Sequence, residues 1–290
     1  MKNKIVQALE HGAGKLTKSL GEDAGKAVKD FYHDTGHRLK RCADDHLEND
    51  TKIKDDLEHL AKRHKEETPV YHIDDDGNIT RLEHDPFGKT PEDRYKKVKL
   101  TQGDKDRLGL DSASVGAPKQ RERLALLKND EENAKKPRPK KSSTKVAPAS
   151  NDLAQATQIA RHADKSYGTH LKDGKFTSNN YAAARVKGAG GKGDFIIVGR
   201  SHRNNGVRVG AHSERMIGVP FLRQGAGHRI QDLYTEREPC PTAPNCSSWM
   251  AERLPHVQAQ HSFDYGDTTA ARAAGNKEMM DYLDALKSRR

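Results

Sequence analysis

Two apolar runs, "NYAAARVK" (180–187) and "DFIIVGRSH" (194–202), flank the glycine-rich "GAGGKG" and constrain this chain more than any other feature. Glycine tolerates the backbone angles of a tight connection, so the arrangement predicts a β-hairpin. It is not a phosphate-binding loop, because Asp194 follows and no Gly-Lys-Ser/Thr stands in place. Strand and helix signals then alternate. "HSERMIGVPFL" opens a helix, "RIQDLYT" (229–235) is a strand, and "NCSSWMAERL" is a short helix with Asn245 as N-cap and Pro255 beyond its end. "HVQAQHSFDYG" places Val257, Ala259, His261 and Phe263 on one strand face, and "NKEMMDYLDALKS" carries Met279, Leu283 and Leu286 at helical spacing. The order is β-β-α-β-α-β-α, an α/β class.

The rest of the chain is sparser in apolar residues. With 33% hydrophobic and 32% charged residues, one core spread over all 290 residues is not expected. Residues 1–66 read as a helical N-terminal region whose thin apolar stripe includes Ile5, Leu9, Leu16 and Leu20. Residues 67–132 read as a hairpin, "VYHIDDDGNITRLEHD", followed by an irregular adaptor segment. Asp74, Asp75 and Asp76 lack the spacing of a calcium loop and signal a turn instead. Residues 133–150, "NAKKPRPKKSSTKVAPAS", read as a disordered basic linker, and 151–290 as the folded C-terminal domain.

A net charge of +10 and a pI near 9.3 favour polyanionic partners, nucleic acid before anionic membrane. No apolar run reaches the roughly 18 residues of a membrane-spanning helix. The lysine-rich start lacks the apolar core of a classical signal peptide, and three cysteines do not make a disulfide scaffold.

Two of those cysteines, Cys240 and Cys246, lie in "TEREPCPTAPNCSSWM". Alone they fit a disulfide, two buried apolar residues or a metal site. A catalytic zinc site usually takes three protein ligands and keeps one position open. Upstream, "AHSERMIG" offers His212, with Glu214 two residues later. A histidine, a nearby glutamate, Pro-Cys and a second cysteine form the signature of zinc nucleobase deaminases. His212 would bind Zn2+ as neutral imidazole and both cysteines as thiolates, Cys246 favoured by the positive end of its helix. Glu214, which binds no metal, would shuttle the proton of a water activated by zinc. Side chains two apart diverge by about 200° in mid-helix. The pair therefore requires a helix that begins near Ala211 or His212.

Residues 180–290 resemble the cytidine deaminase-like fold, and "HSERMIG", "TEREPC" and "NCSSWM" resemble the branch found in bacterial polymorphic toxins. The resemblance implies a three-layer domain, a mixed sheet with flanking helices, with zinc between the N-termini of its two central helices. It makes His212, Cys240 and Cys246 the metal ligands and Glu214 the acid/base, and lets the Glu238 carbonyl accept from the substrate amino group. One departure is the five residues between Cys240 and Cys246, where the common pattern has two; Pro241 and Pro244 would stiffen the bulge. Arg200, Arg203, Arg208, Arg223 and Arg229 are expected to meet phosphates, and Tyr265 to stack on an extruded base. Trp249 and Phe263 are expected in the core, Glu236 and Glu238 in solvent, and His202, His228, His256 and His261 at the surface or in packing.

The function so implied is hydrolytic conversion of cytosine to uracil in nucleic acid, single-stranded DNA first, with RNA as a possible substrate. It would belong to the C-terminal toxin module of an effector secreted by a dedicated system, acting in the target-cell cytoplasm and neutralised by a cognate immunity protein. Alternatives are a deaminase of RNA (C or A) or of free nucleosides and nucleotides, and a non-catalytic, zinc-stabilised nucleic-acid-binding protein. Glu214 discriminates, since structural zinc has no use for it.

Overall fold

The computed structural model describes residue 33 and residues 68–116, 121–129, 138–173, 175–205, 207, 209–242 and 244–288. Apart from residue 33, the helical region expected over 1–66 lies outside them, as do Arg208 and the first part of the expected linker.

Among the described residues the strands are β1 (Val70–Ile73), β2 (Ile79–His84), β3 (Tyr95–Val98), β4 (Thr144–Lys145), β5 (Thr169–His170), β6 (Phe176–Thr177), β7 (Tyr181–Val186), β8 (Phe195–Arg200), β9 (Ile230–Arg237) and β10 (Gln258–Phe263). The helices are α1 (Pro91–Arg94), α2 (Gln102–Leu108), α3 (Arg121–Leu127), α4 (Asp152–Asp164), α5 (Ser213–Arg223), α6 (Cys246–Arg253) and α7 (Thr269–Ser288). Eight strands form one mixed sheet in the order β3-β2-β1-β8-β7-β9-β10-β4, while β5 and β6 pair separately. Pairs β1–β8, β9–β10 and β10–β4 are parallel. None of the described helices is long and apolar enough to cross a membrane.

Residues 180–288 follow the expected β-β-α-β-α-β-α order from β7 to α7. In β8, Phe195 to Val198 are fully buried because helices cover both faces, and such strands read as unbroken apolar runs. Phe195 and Ile197 face the layer containing α5 and α6; Ile196 and Val198 face α4. Each such side chain contributes about 1.5–3 kcal/mol through burial. Ala182, Ala183 and Ala184 in β7 keep both layers close to the sheet. On the far side of α5, a Cβ at Gly218 would stand 2.7 Å from the Trp249 ring, so the glycine lets α5 and α6 meet.

The hairpin expected after residue 67 is present as β1–β2. Its turn is made by Asp74, whose carboxylate accepts from the Asp76 and Asn78 amides, both at 2.8 Å, and by Gly77 at φ 76°. β1 also pairs in parallel with β8, Val70 against Ile196, and its four residues are all buried. The following region is also regular. Thr101 and Asp104 form a capping box for α2, and the buried Arg229 donates to the Arg107, Leu108 and Lys187 carbonyls, closing the helix against the sheet. Arg229 is thus structural, and Arg223 pairs with Asp111 at the far end of α5 from His212.

Residues 138–150 are likewise not a disordered tether. β4 extends the sheet beside β10, the Lys141 amide donates to the Ser247 carbonyl at 3.1 Å, and Val146 donates to His261 at 2.8 Å. Parallel pairing with β10 gives this basic segment the backbone partners that its composition does not advertise.

Candidate metal centre

The site forms where two loops leave the C-terminal ends of β8 and β9, the strands on either side of β7. β8 ends at Arg200, and an antiparallel bridge between His202 and Ala211 closes the loop that delivers His212. His212 is the N-cap of α5, with extended angles (φ −78°, ψ 156°), and its carbonyl accepts from Arg215 and Met216. Its imidazole makes no capping bond. The helix therefore begins where the spacing to Glu214 requires.

β9 ends at Arg237, and the chain reaches Cys240 before turning back at Asn245, whose amide donates to the Thr242 carbonyl at 2.6 Å. Asn245 adopts a left-handed conformation (φ 59°) and caps α6 by accepting from the Ser248 amide at 3.1 Å. Cys246 is the first residue of α6. Cys240 receives that helix end twice: its sulfur accepts from the Cys246 amide at 3.2 Å and its carbonyl from Ser247 at 3.2 Å. The sulfur that meets the helix N-terminal amide is thus that of Cys240.

Three ligand atoms, one each from His212, Cys240 and Cys246, lie within 4.8 Å of one another. The Cys240 Sγ and His212 Nδ1 are 3.7 Å apart, close to the roughly 3.5 Å edge expected between sulfur and nitrogen of a tetrahedral zinc site. Both thiols are free and buried, so the disulfide alternative falls. The hydrogen bond from Cys246 and then His212 draws the Cys240 thiol down to about 4, while sharing that bond and burial push Cys246 well up. Burial lowers the His212 value, but the Cys240 bond and the Glu214 charge leave it raised. Glu214, in the first turn of α5 and 2% exposed, is pushed up by burial.

Residues 177–282 match the family model of Xanthomonas-like deaminases. The C-terminal region carries a deaminase-like domain. Comparisons with curated proteins and with solved structures gave no match. In deaminases a histidine and two cysteines hold zinc, and the cluster of His212, Cys240 and Cys246 is consistent with that site.

The remaining expected residues of the deaminase domain scatter. Glu238 accepts from the Tyr265 amide at 3.1 Å, two positions before Cys240, and Arg272 lies over the Tyr265 ring at 5.6 Å. Arg200 forks onto Asp75 with two 2.8 Å bonds and lies 3.8 Å from Asp164 at the end of α4, whereas Arg203 is exposed in the 201–211 loop. Trp249 is core, bonded to the Leu126 carbonyl, and Phe263 packs on Tyr282. Glu236 is not solvated: it is 1% exposed and paired with the buried Arg161, joining β9 to α4.

Residues not singled out in the sequence surround the candidate metal site. Arg215 donates to the Leu127 and Pro244 carbonyls and to Asn129, and lies 5.5 Å over Trp249. Arg272 donates to the Thr242 hydroxyl at 2.8 Å. Together these arginines hold the long loop between the cysteines from two sides. Asn180, Ser213 and Thr235 form a part-buried polar chain that reaches Glu214. Only the "SNN" before β7 gave a local signal, and it reads equally well as a turn.

Proposed function

We propose that the C-terminal domain is a zinc-dependent hydrolytic deaminase converting cytosine to uracil in nucleic acid, with single-stranded DNA the first substrate. The observation that carries this reading is Glu214, a buried carboxyl with a raised pKa on the helix turn next to the His212, Cys240 and Cys246 cluster. Zinc held by those three residues would supply a nucleophile at neutral pH. Glu214 takes a proton from the attacking water and delivers it to the ring nitrogen, then passes the second proton of that water, left on the hydroxyl of the adduct, to the departing amino group, so that cytosine and water become uracil and ammonia. The net charge of +10 and the exposed Arg203 support a polynucleotide substrate.

The test uses the full chain with zinc on single- and double-stranded DNA and RNA, read by sequencing. Glu214→Ala is expected to lower turnover by about 10²–10⁴-fold and to retain zinc. Adenine-to-inosine change would keep the mechanism and replace the base. Activity confined to free nucleosides would move the substrate, and silence on all of them, with zinc bound, would favour the non-catalytic binding protein.

The resemblance to toxin deaminases supports a wider proposal. The domain acts in a target-cell cytoplasm after delivery by a dedicated secretion system, and a separate immunity protein covers the zinc cleft. Harmless intracellular expression of active enzyme would count against it.

A further inference from the structure

The hydrogen bonds behind Glu214 specify how its carboxyl is oriented, an inference that rests on the proton-shuttle role proposed for this residue. Asn180 stands immediately before β7 and is locked by its backbone, its amide accepted by the Ser201 hydroxyl oxygen and its carbonyl accepting from the Ser201 amide, both at 2.8 Å. Its side-chain oxygen accepts from the Arg237 amide at 2.9 Å. A backbone N–H only donates, so this bond settles the orientation of the amide group. The Asn180 Nδ2 therefore faces two hydroxyls, Ser213 Oγ at 2.9 Å and Thr235 Oγ1 at 2.6 Å, and donates to both. Ser213 and Thr235 are fully buried.

Because Ser213 accepts from Asn180, its single hydrogen is left for its other neighbour. That neighbour is Glu214 Oε2 at 3.2 Å. A one-way chain results, Asn180 to Ser213 to Glu214, in which Oε2 accepts the Ser213 hydrogen. We infer that Asn180 and Ser213 are positioning residues that fix the orientation of the Glu214 carboxyl through its Oε2 for deamination. Neither residue touches substrate on this account; both act through the orientation of Glu214.

The test is a double-mutant cycle in the zinc-loaded full chain, with kcat, KM, zinc stoichiometry and thermal midpoint measured for each variant. Ser213→Ala is expected to lower kcat about 10-fold or more with KM and bound zinc unchanged, and Ser213→Thr, which restores a hydroxyl, to recover most of the loss. Asn180→Asp replaces a donor by an acceptor and so draws the Ser213 hydrogen away from Glu214. It should lower kcat to a similar degree alone and add little on top of Ser213→Ala. A merely structural role would instead lower the melting midpoint and zinc content, and the two losses would add. If wild type shows Glu214-dependent turnover that Ser213→Ala leaves intact, the inference is overturned and the deaminase reading stands. If wild type shows no Glu214-dependent turnover on any substrate, both fall. Should Asn180→Asp not fold, Ser213→Ala and Ser213→Thr still decide the question.

Discussion

At the scale of single residues, the site depends on positions where backbone angle and side chain act together. Asn245 is the sharpest case: it occupies the left-handed region and caps α6 beside Cys246. Alanine there would lose the cap and sit in a conformation unfavourable for a residue with a Cβ, a combined cost of about 2–3 kcal/mol. Glycine loses the cap bond but accepts the angle, so it should cost only a few tenths of that amount. Urea melts of zinc-loaded Asn245→Ala and Asn245→Gly check the order, and equal destabilisation would contradict it. His212 and Glu214 were legible as a pair because the deaminase pattern and helix geometry agree on where α5 must start. The residues that orient Glu214 were not legible, since Asn180 and Thr235 reach it only through strand pairing between β7 and β9.

At the scale of elements, the loop between the cysteines decides how well the ligands are preorganised. Five intervening residues need more restraint than two, and Arg215 and Arg272 supply it at the Pro244 carbonyl and the Thr242 hydroxyl. Lysine keeps the charge of Arg215 but cannot reach three acceptors in a plane. Arg215→Lys should therefore weaken zinc binding about 10-fold, within the range seen for groups that support metal ligands, as measured by competition with a chelator. An unchanged affinity would show that the loop holds its shape unaided. The β7–β8 hairpin, α5, α6 and α7 follow local signals: apolar runs, N-caps and helical spacing. By contrast β1 and β4 carry little signal of their own, because the first is a short strand buried on both faces and the second is two exposed residues. Their structure comes from β8 and β10, which are distant in sequence.

At the scale of the molecule, the folded unit extends beyond the C-terminal deaminase domain on both edges of its sheet. A fragment of residues 151–290 would strip β1 from β8 and β4 from β10, and remove Tyr71, Ile73 and Leu108 from the main core. It should aggregate or lack cooperative melting, whereas residues 68–290 should melt in one transition; a soluble, cooperative short fragment would refute this. Acid stability also depends on contacts across this larger unit. Burial raises the Asp164 pKa, but hydrogen bonds from His72, Lys97 and Tyr181 together with the His72 charge bring it well below the ordinary carboxylate value. A depressed folded value means that the stabilisation is present above the unfolded value, about pH 4, and lost as pH falls towards the folded one. Asp164→Asn should therefore lower stability at pH 7 and flatten its decline below pH 4, which denaturant midpoints across pH would reveal.

The parallel pairing of β1 with β8 also imposes an order on folding. Val70 finds its partner only when Ile196 has been made, and the turn after β1 is tied to the end of β8 through Asp75 and Arg200, 125 positions apart. Such non-local closure is slow, and until it happens one side of β1 is an unpaired edge. A chain growing from its N-terminus therefore cannot complete this sheet until most of its length exists, and the centre carrying His212, Cys240 and Cys246 is among the last parts to take shape.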